Sequence, residues 1–75
     1  MGYTEFVQNK IEAGDPNQDS LTSRQLYDAW REAGGRLGLQ VRPTHAARDL
    51  RVLAQRVHGG RLDKANVVWG VRVRP

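Results

Sequence analysis

Apolar residues recur along this chain at two periods, and the change from one to the other orders its elements. Tyr3, Phe6, Val7 and Ile11 fall at i, i+3, i+4 and i+8, one face of a helix. Tyr3 or Thr4 begins that helix, and Gly14-Asp15-Pro16-Asn17 ends it, because glycine and proline both punctuate there. Thr22-Ser23-Arg24-Gln25 is a capping box: the Thr22 hydroxyl can accept from the Gln25 amide while the Gln25 side chain reaches back. Leu26, Ala29, Trp30 and Ala33 follow at helical spacing and are expected to face the core, and Gly34-Gly35 closes this second helix.

Leu37 to Val41 reads as a short linker with a brief strand over Leu39-Gln40-Val41. Pro43-Thr44 opens a third helix with Thr44 as its expected N-cap. Ala46, Leu50, Leu53, Ala54 and Val57 make one stripe of it; Thr44, His45, Arg48, Arg51 and Gln55 make the other side, and Gly59-Gly60 stops it. The period then shortens. Val67, Trp69, Val71 and Val73 alternate with Val68, Gly70, Arg72 and Arg74, the pattern of a half-buried strand with a basic outer face. Asp63-Lys64-Ala65-Asn66 reads as the turn before it and Gly60-Arg61-Leu62 as its partner strand. The order predicts an α+β chain, a winged helix-turn-helix of three helices and a C-terminal β-hairpin wing, forming a single domain over residues 1–75.

Composition narrows the function classes. Seventy-five residues permit one small core, and 39% hydrophobic with 27% charged residues suits a globular domain. With no cysteine, disulfides, thiolate nucleophiles and sulfur-ligated zinc are excluded. The longest apolar cluster, Val67-Val68-Trp69-Gly70-Val71, is far too short to span a bilayer. Met1-Gly2-Tyr3-Thr4-Glu5 carries neither a basic nor an apolar leader, so a cytoplasmic place, in a bacterial host or on its nucleoid, is expected.

Charge divides the chain. Residues 1–33 have a net charge of −3 and residues 34–75 a net charge of +7. A small domain that gathers positive charge in one half suits a polyanion, above all a nucleic-acid backbone; the bland reading is a basic chain whose charges only solvate it. Arg48 and Arg51 can each pair with guanine or phosphate, Gln55 and Thr44 can reach base edges or backbone, and amides near Thr44 and His45 favour a phosphate. In the hairpin, Arg61 and Lys64 lie at or near the tip and Arg72 and Arg74 on the outer face, where they can track phosphates or guard an exposed edge strand. Arg42, just before the third helix, completes the candidate DNA-binding set. Asp63 and Asp49 are repulsive in such a surface, with Lys64 and with Arg48 or Arg56 as expected partners.

Trp30 and Trp69 are expected in the core rather than as base-stacking platforms. His45 and His58 are thirteen residues apart with no third ligand at metal spacing, so no metal site is expected. Gly-Gly-Arg-Leu occurs at 34–37 and again at 59–62, each time after a helix, and neither copy has the Gly-Lys-Ser/Thr step of a P-loop. Ser20 and Ser23 lack a base and an orienting acid. No catalytic constellation and no cofactor are expected, so the chain reads as a non-enzyme.

The run of Phe6, Ile11, Leu26-Tyr27-Asp28-Ala29-Trp30, Gly34, a Pro-Thr helix start, Leu50 and Val68-Trp69-Gly70-Val71-Arg72-Val73 resembles the C-terminal winged-helix domain of phage- and plasmid-encoded primase–helicases. The resemblance spans nearly the whole chain through short motifs at core positions. It implies DNA binding beside a replicative helicase or primase, as parent chain or partner, in an excised terminal domain or a small free-standing relative. It carries over Thr44, His45, Arg48, Arg51, Gln55, Arg61 and Lys64 as binding positions; the ATPase and primase catalytic residues have no counterpart. The rivals are a stand-alone phage regulator or excisionase of similar fold, and a winged-helix protein-interaction adaptor with an apolar patch left exposed around Val68 or Tyr27.

Overall fold

The computed structural model describes all 75 residues. Helix α1 runs from Tyr3 to Lys10 and buries Phe6 and Val7. It stops three residues short of the expected Gly14, because the backbone from Ile11 is taken over by a strand partner from the far end of the chain. Strand β1 (Ile11–Ala13) pairs antiparallel with the C-terminal strand, Ile11 opposite Val73 and Ala13 opposite Val71. The Arg74 amide extends the ladder by donating to Lys10 O at 2.8 Å. Ile11 is fully buried all the same, so its apolar position was legible and its backbone was not.

Strand β2 (Ser20–Leu21) leads into helix α2 (Ser23–Glu32), and the capping box forms as expected: the Gln25 amide donates to Thr22 Oγ1 at 3.0 Å, and the Thr22 amide to Gln25 Oε1 at 2.8 Å. Leu26 and Trp30 are buried, with Ala29 and Ala33 packed beside them. The Trp30 indole N–H donates to Met1 O at 2.8 Å, and the Tyr3 and Tyr27 rings tilt against it at centroid distances of 5.0 and 6.0 Å. A buried indole thus has its one polar atom satisfied. Tyr3, half-buried between α1 and its neighbours, titrates above the usual phenol range, first through burial and then through the nearby Asp49 carboxylate.

The expected strand at Leu39-Gln40-Val41 is absent. Gly38 to Val41 instead forms a turn closed by the Val41 amide on Gly38 O at 3.1 Å, and no strand edge lies alongside to pair with it. Helix α3 (Pro43–His58) follows, and Gly59 caps its end in the left-handed conformation at φ 71°. The hairpin is β3 (Arg61–Leu62) and β4 (Val68–Trp69), and β5 (Val71–Val73) ends the chain. β4 is the centre of a three-stranded antiparallel sheet, β2-β4-β3, while β1 and β5 form a separate ribbon.

The expected single strand over residues 67–73 is therefore two strands. Gly70 breaks it with a φ of 86°, and its N–H donates to Asp19 O while its carbonyl accepts from the Gly14 N–H, each at 2.8 Å. That break resets the alternation, so Val68 and Val71 are fully buried, Trp69 is half-buried and Val73 lies at the surface. Phe6, Val7, Ile11, Leu21, Leu26, Trp30, Ala46, Leu50, Ala54, Val68 and Val71 make one continuous core. The chain is a small α+β domain of three helices and two small antiparallel sheets. No helix is long and apolar enough to cross a membrane.

Candidate nucleic-acid interface

Helix α3 turns its small and branched residues inward for a steric reason. Ala46, Leu50 and Ala54, at intervals of four, are fully buried, and alanine on either side of Leu50 lets the helix approach α1 and α2 closely. Val57, expected on that stripe, is 40% exposed, because the stripe drifts off the core by the last turn. The His58 ring holds this end instead: its Nε2–H donates to Val7 O at 2.7 Å, tying α3 to α1.

The helix begins two residues earlier than expected. Arg42 is its N-cap, extended at φ −88° and ψ 152° with no side-chain cap bond, and Pro43 is the first helical residue. Thr44 therefore lies inside the helix and caps nothing. Pro43 has no N–H, and the His45 amide already donates to Arg42 O at 3.0 Å, so only the Thr44 amide is left unpaired in the first turn. The start of α3 offers one free donor to an anion rather than a cradle of them.

Arg42, Thr44, His45, Arg48 and Arg56 are exposed and Gln55 is half-buried. Arg51, expected as a free reader, is committed elsewhere. Its Nη1 donates to Ser23 Oγ at 2.8 Å, and the Ser23 hydroxyl in turn donates to Asn66 O at 3.1 Å. One half-buried serine thus joins α3, the first turn of α2 and the turn of the hairpin. Asp49 makes no ion pair with Arg48 or Arg56.

In the hairpin, Asp63 does not pair with Lys64. Its carboxylate accepts from the amides of Ala65 and Val67 at 2.8 and 3.1 Å and from the Trp69 indole N–H at 3.0 Å. Trp69 is therefore a half-buried side chain that braces the turn, and not the core residue its alternation suggested. These bonds to the charged form hold the Asp63 carboxyl below the usual carboxylate range, Trp69 contributing most. Asn66 takes the left-handed conformation, φ 61°, that the turn requires. Arg61 on β3 and Lys64 in the turn are exposed and form no ion pair, though the Arg61 charge adds to the lowering of the Asp63 carboxyl.

Arg72 and Arg74 belong to a different neighbourhood. Because β5 pairs with β1, Arg72 lies opposite Glu12 and forms an ion pair with it, and it reaches Asp19 at 3.9 Å. The hydrogen bond that Arg72 Nε–H donates to Glu12 raises the guanidinium further above its usual value. Arg74 approaches Glu12 at 3.9 Å and donates to Ile11 O at 3.5 Å. Acids from the first half of the chain thus offset the two arginines furthest toward its end. Of the nine bases in residues 34–75, Arg36, Arg42, Arg48, Arg51, Arg56, Arg61 and Lys64 make no ion pair.

The geometry adds residues that the sequence reading passed over. Arg56 is unpaired on the exposed face of α3, and Val52, 41% exposed, stands between it and Arg48. The signal for both was the helical angle itself, since Arg48, Val52 and Arg56 are successive i+4 neighbours. No group of three His, Cys, Asp or Glu side chains is placed to hold a metal ion. Compared with protein-family models, curated protein sequences and solved structures, the chain matches none of them.

Proposed function

We propose that this chain is a winged-helix DNA-binding module, with α3 as the helix that enters the major groove and the β3–β4 hairpin as a wing on the backbone. The observation that carries the reading is the distribution of unpaired charge. Arg42, Arg48, Arg56, Arg61 and Lys64, on or beside α3 and the hairpin, form no ion pair, while Arg72 and Arg74 are offset by Glu12 and Asp19. Asp49 on α3 and Asp63 in the hairpin turn are the acids of this region, against five bases that form no ion pair, so the surface stays net positive. The element order supports the winged arrangement, since α2 and α3 are followed directly by a hairpin held to both helices through Ser23. The resemblance to primase–helicase termini makes a phage or plasmid replication protein the proposed setting, with a helicase or primase as parent chain or partner.

Titration of duplex DNA at several salt concentrations tests this. If roughly four to six phosphates are neutralised, log affinity falls with log salt at a slope of about −4 to −5. Arg48→Ala weakens binding and flattens the slope by about one unit. No duplex binding at low salt overturns the reading. For the adaptor alternative, Val68 is fully buried, but Tyr27 is only half-buried and lines an open surface groove with Pro43, Thr44 and Ala47. It has a second supporting observation: Leu39, at the corner of the loop before α3, is wholly exposed. The regulator alternative requires a dimer or tandem copies to read two half-sites, and sedimentation on DNA would reveal more than one copy bound.

A further inference from the structure

We propose that the concavity at the end of α2, lined by Arg31, Gly34, Gly35, Arg36 and Leu37, binds a phosphate group; that the phosphate belongs to a DNA backbone rests on the proposed function. It is the largest of four open concavities on the surface, about 630 Å³, and the one whose lining includes no carboxylate. Each of the others includes Asp28, Asp49 or Glu5. Arg31 and Arg36 form no ion pair, and Glu32 beside Arg31 forms none either. Two cations that share an acid-free concavity repel each other, and an anion between them removes that repulsion.

Helix termination and packing account for the glycines of this turn but not for its arginines. Gly34 sits at φ 100°, and a Cβ on Gly35 would collide with the Trp30 indole. Leu37 packs half-buried against the core, so the backbone of Arg36 is held on both sides while its side chain stays exposed. Arg31 Nη1 donates to Gly35 O at 3.3 Å, which sets the guanidinium against the turn and uses one of its five N–H donors. The Trp30 and Arg31 carbonyls, which would repel an anion, already accept from the Gly35 and Gly34 amides at 2.8 and 3.1 Å. The Arg36 and Leu37 amides donate to no group of the chain. The site thus offers two guanidinium forks, which match the oxygens of a phosphate, and two free N–H groups beside them. Six residues of chain lead from Arg36 to Arg42, the N-cap of α3, so the two lie within about 20 Å. The major groove is about 12 Å wide, and a helix entering it by its first turn brings the phosphates of one strand alongside the loop that leads into it.

Inorganic phosphate titrated into the isotope-labelled chain at constant ionic strength tests the site by nuclear magnetic resonance. The Arg36 and Leu37 amides are expected to shift saturably, and the shift to disappear in the Arg31→Ala/Arg36→Ala double variant, whose fold circular dichroism checks. Phosphate that moves no amide of residues 34–37 overturns the site, whatever the chain does with DNA. On duplex DNA one phosphate accounts for about 0.9 unit of salt slope. The double variant should therefore flatten the slope by about one unit, because both arginines hold the same phosphate, and by about two when Arg48→Ala is added. A flattening of about two units from the double variant alone overturns the shared site, since each arginine would then meet a phosphate of its own. A phosphate shift with an unchanged slope overturns the DNA-backbone assignment and makes a soluble phosphate compound the ligand. Absence of duplex binding by wild type at low salt overturns the DNA reading, and the phosphate titration then decides the site.

Discussion

The indole N–H of Trp69 donates to the Asp63 carboxylate across 3.0 Å, so a side chain on the hairpin's second strand fixes the first residue of its own turn. The same carboxylate binds the amides of Ala65 and Val67, which makes Asp63 the residue on which the shape of residues 63–69 depends. The turn presents Lys64 to solvent, and the three N–H groups keep the Asp63 carboxyl ionised beside it.

Because the folded hairpin holds the Asp63 carboxyl below its unfolded value, the contribution is fully present above about pH 4 and disappears as pH falls through the lowered value. The Trp69 indole proton resonance should therefore move only in strongly acid solution. In Asp63→Asn it should no longer titrate, and the hairpin amides should exchange faster. A wild-type midpoint at or above pH 4 would contradict the arrangement.

Ser23→Ala removes both the acceptor for Arg51 and the donor to Asn66 O. The cost is expected to be about 1 kcal/mol per lost bond, smaller where water replaces the hydroxyl. Hydrogen exchange should rise at Asn66 and Val67 and stay unchanged in α1. A uniform rise across the chain would mean that Ser23 serves general stability and not the junction between α3 and the hairpin.

Leu50 and Val57 separate the core expected from periodicity and the core that forms. Leu50→Ala should cost about 2–5 kcal/mol, close to the whole stability of a domain this small, whereas Val57→Ala at a 40% exposed site should cost less than about 1 kcal/mol. Comparable losses at the two positions in a denaturant titration would show that the last turn of α3 is packed after all.

Gly35 and Gly60 are the glycines that approach the core. A Cβ on Gly35 collides with the Trp30 indole, and one on Gly60 lies 2.6 Å from Val68 Cγ1 and 3.2 Å from Val71 Cγ1. Alanine at either site should cost about 1–3 kcal/mol through overpacking. Gly2→Ala, with nothing within 4 Å, should change thermal stability little. Equal melting of Gly35→Ala and wild type would show that the Trp30 indole can shift to admit a methyl group at no cost.

Arg72→Ala and Arg74→Ala are expected to leave the salt slope of DNA binding nearly unchanged, because Glu12 and Asp19 already offset those charges. Arg61→Ala and Lys64→Ala should each reduce it. A slope that falls equally for all four would extend the contact surface to the β1–β5 ribbon.

Local chemistry was readable without the fold. The Thr22–Gln25 capping box, the left-handed Gly59, the apolar stripe through Ala46, Leu50 and Ala54, and the turn between Arg61-Leu62 and Val68-Trp69 all depend on residues a few positions apart. So did the basic face of α3 and the charge division of the chain, and with them most of the candidate site. Tertiary structure decided whatever depends on partners distant in sequence. Ile11 left its helix because β5, some sixty residues on, offered a ladder. That pairing also laid Arg72 and Arg74 beside Glu12, which offsets part of their charge. Gly70 split the last strand because its two hydrogen bonds run to Gly14 and Asp19, and Arg51 turned from a free cation into the tie on Ser23. Periodicity records which side of an element is apolar; which polar groups remain unpaired is settled only when segments from opposite ends of the chain meet.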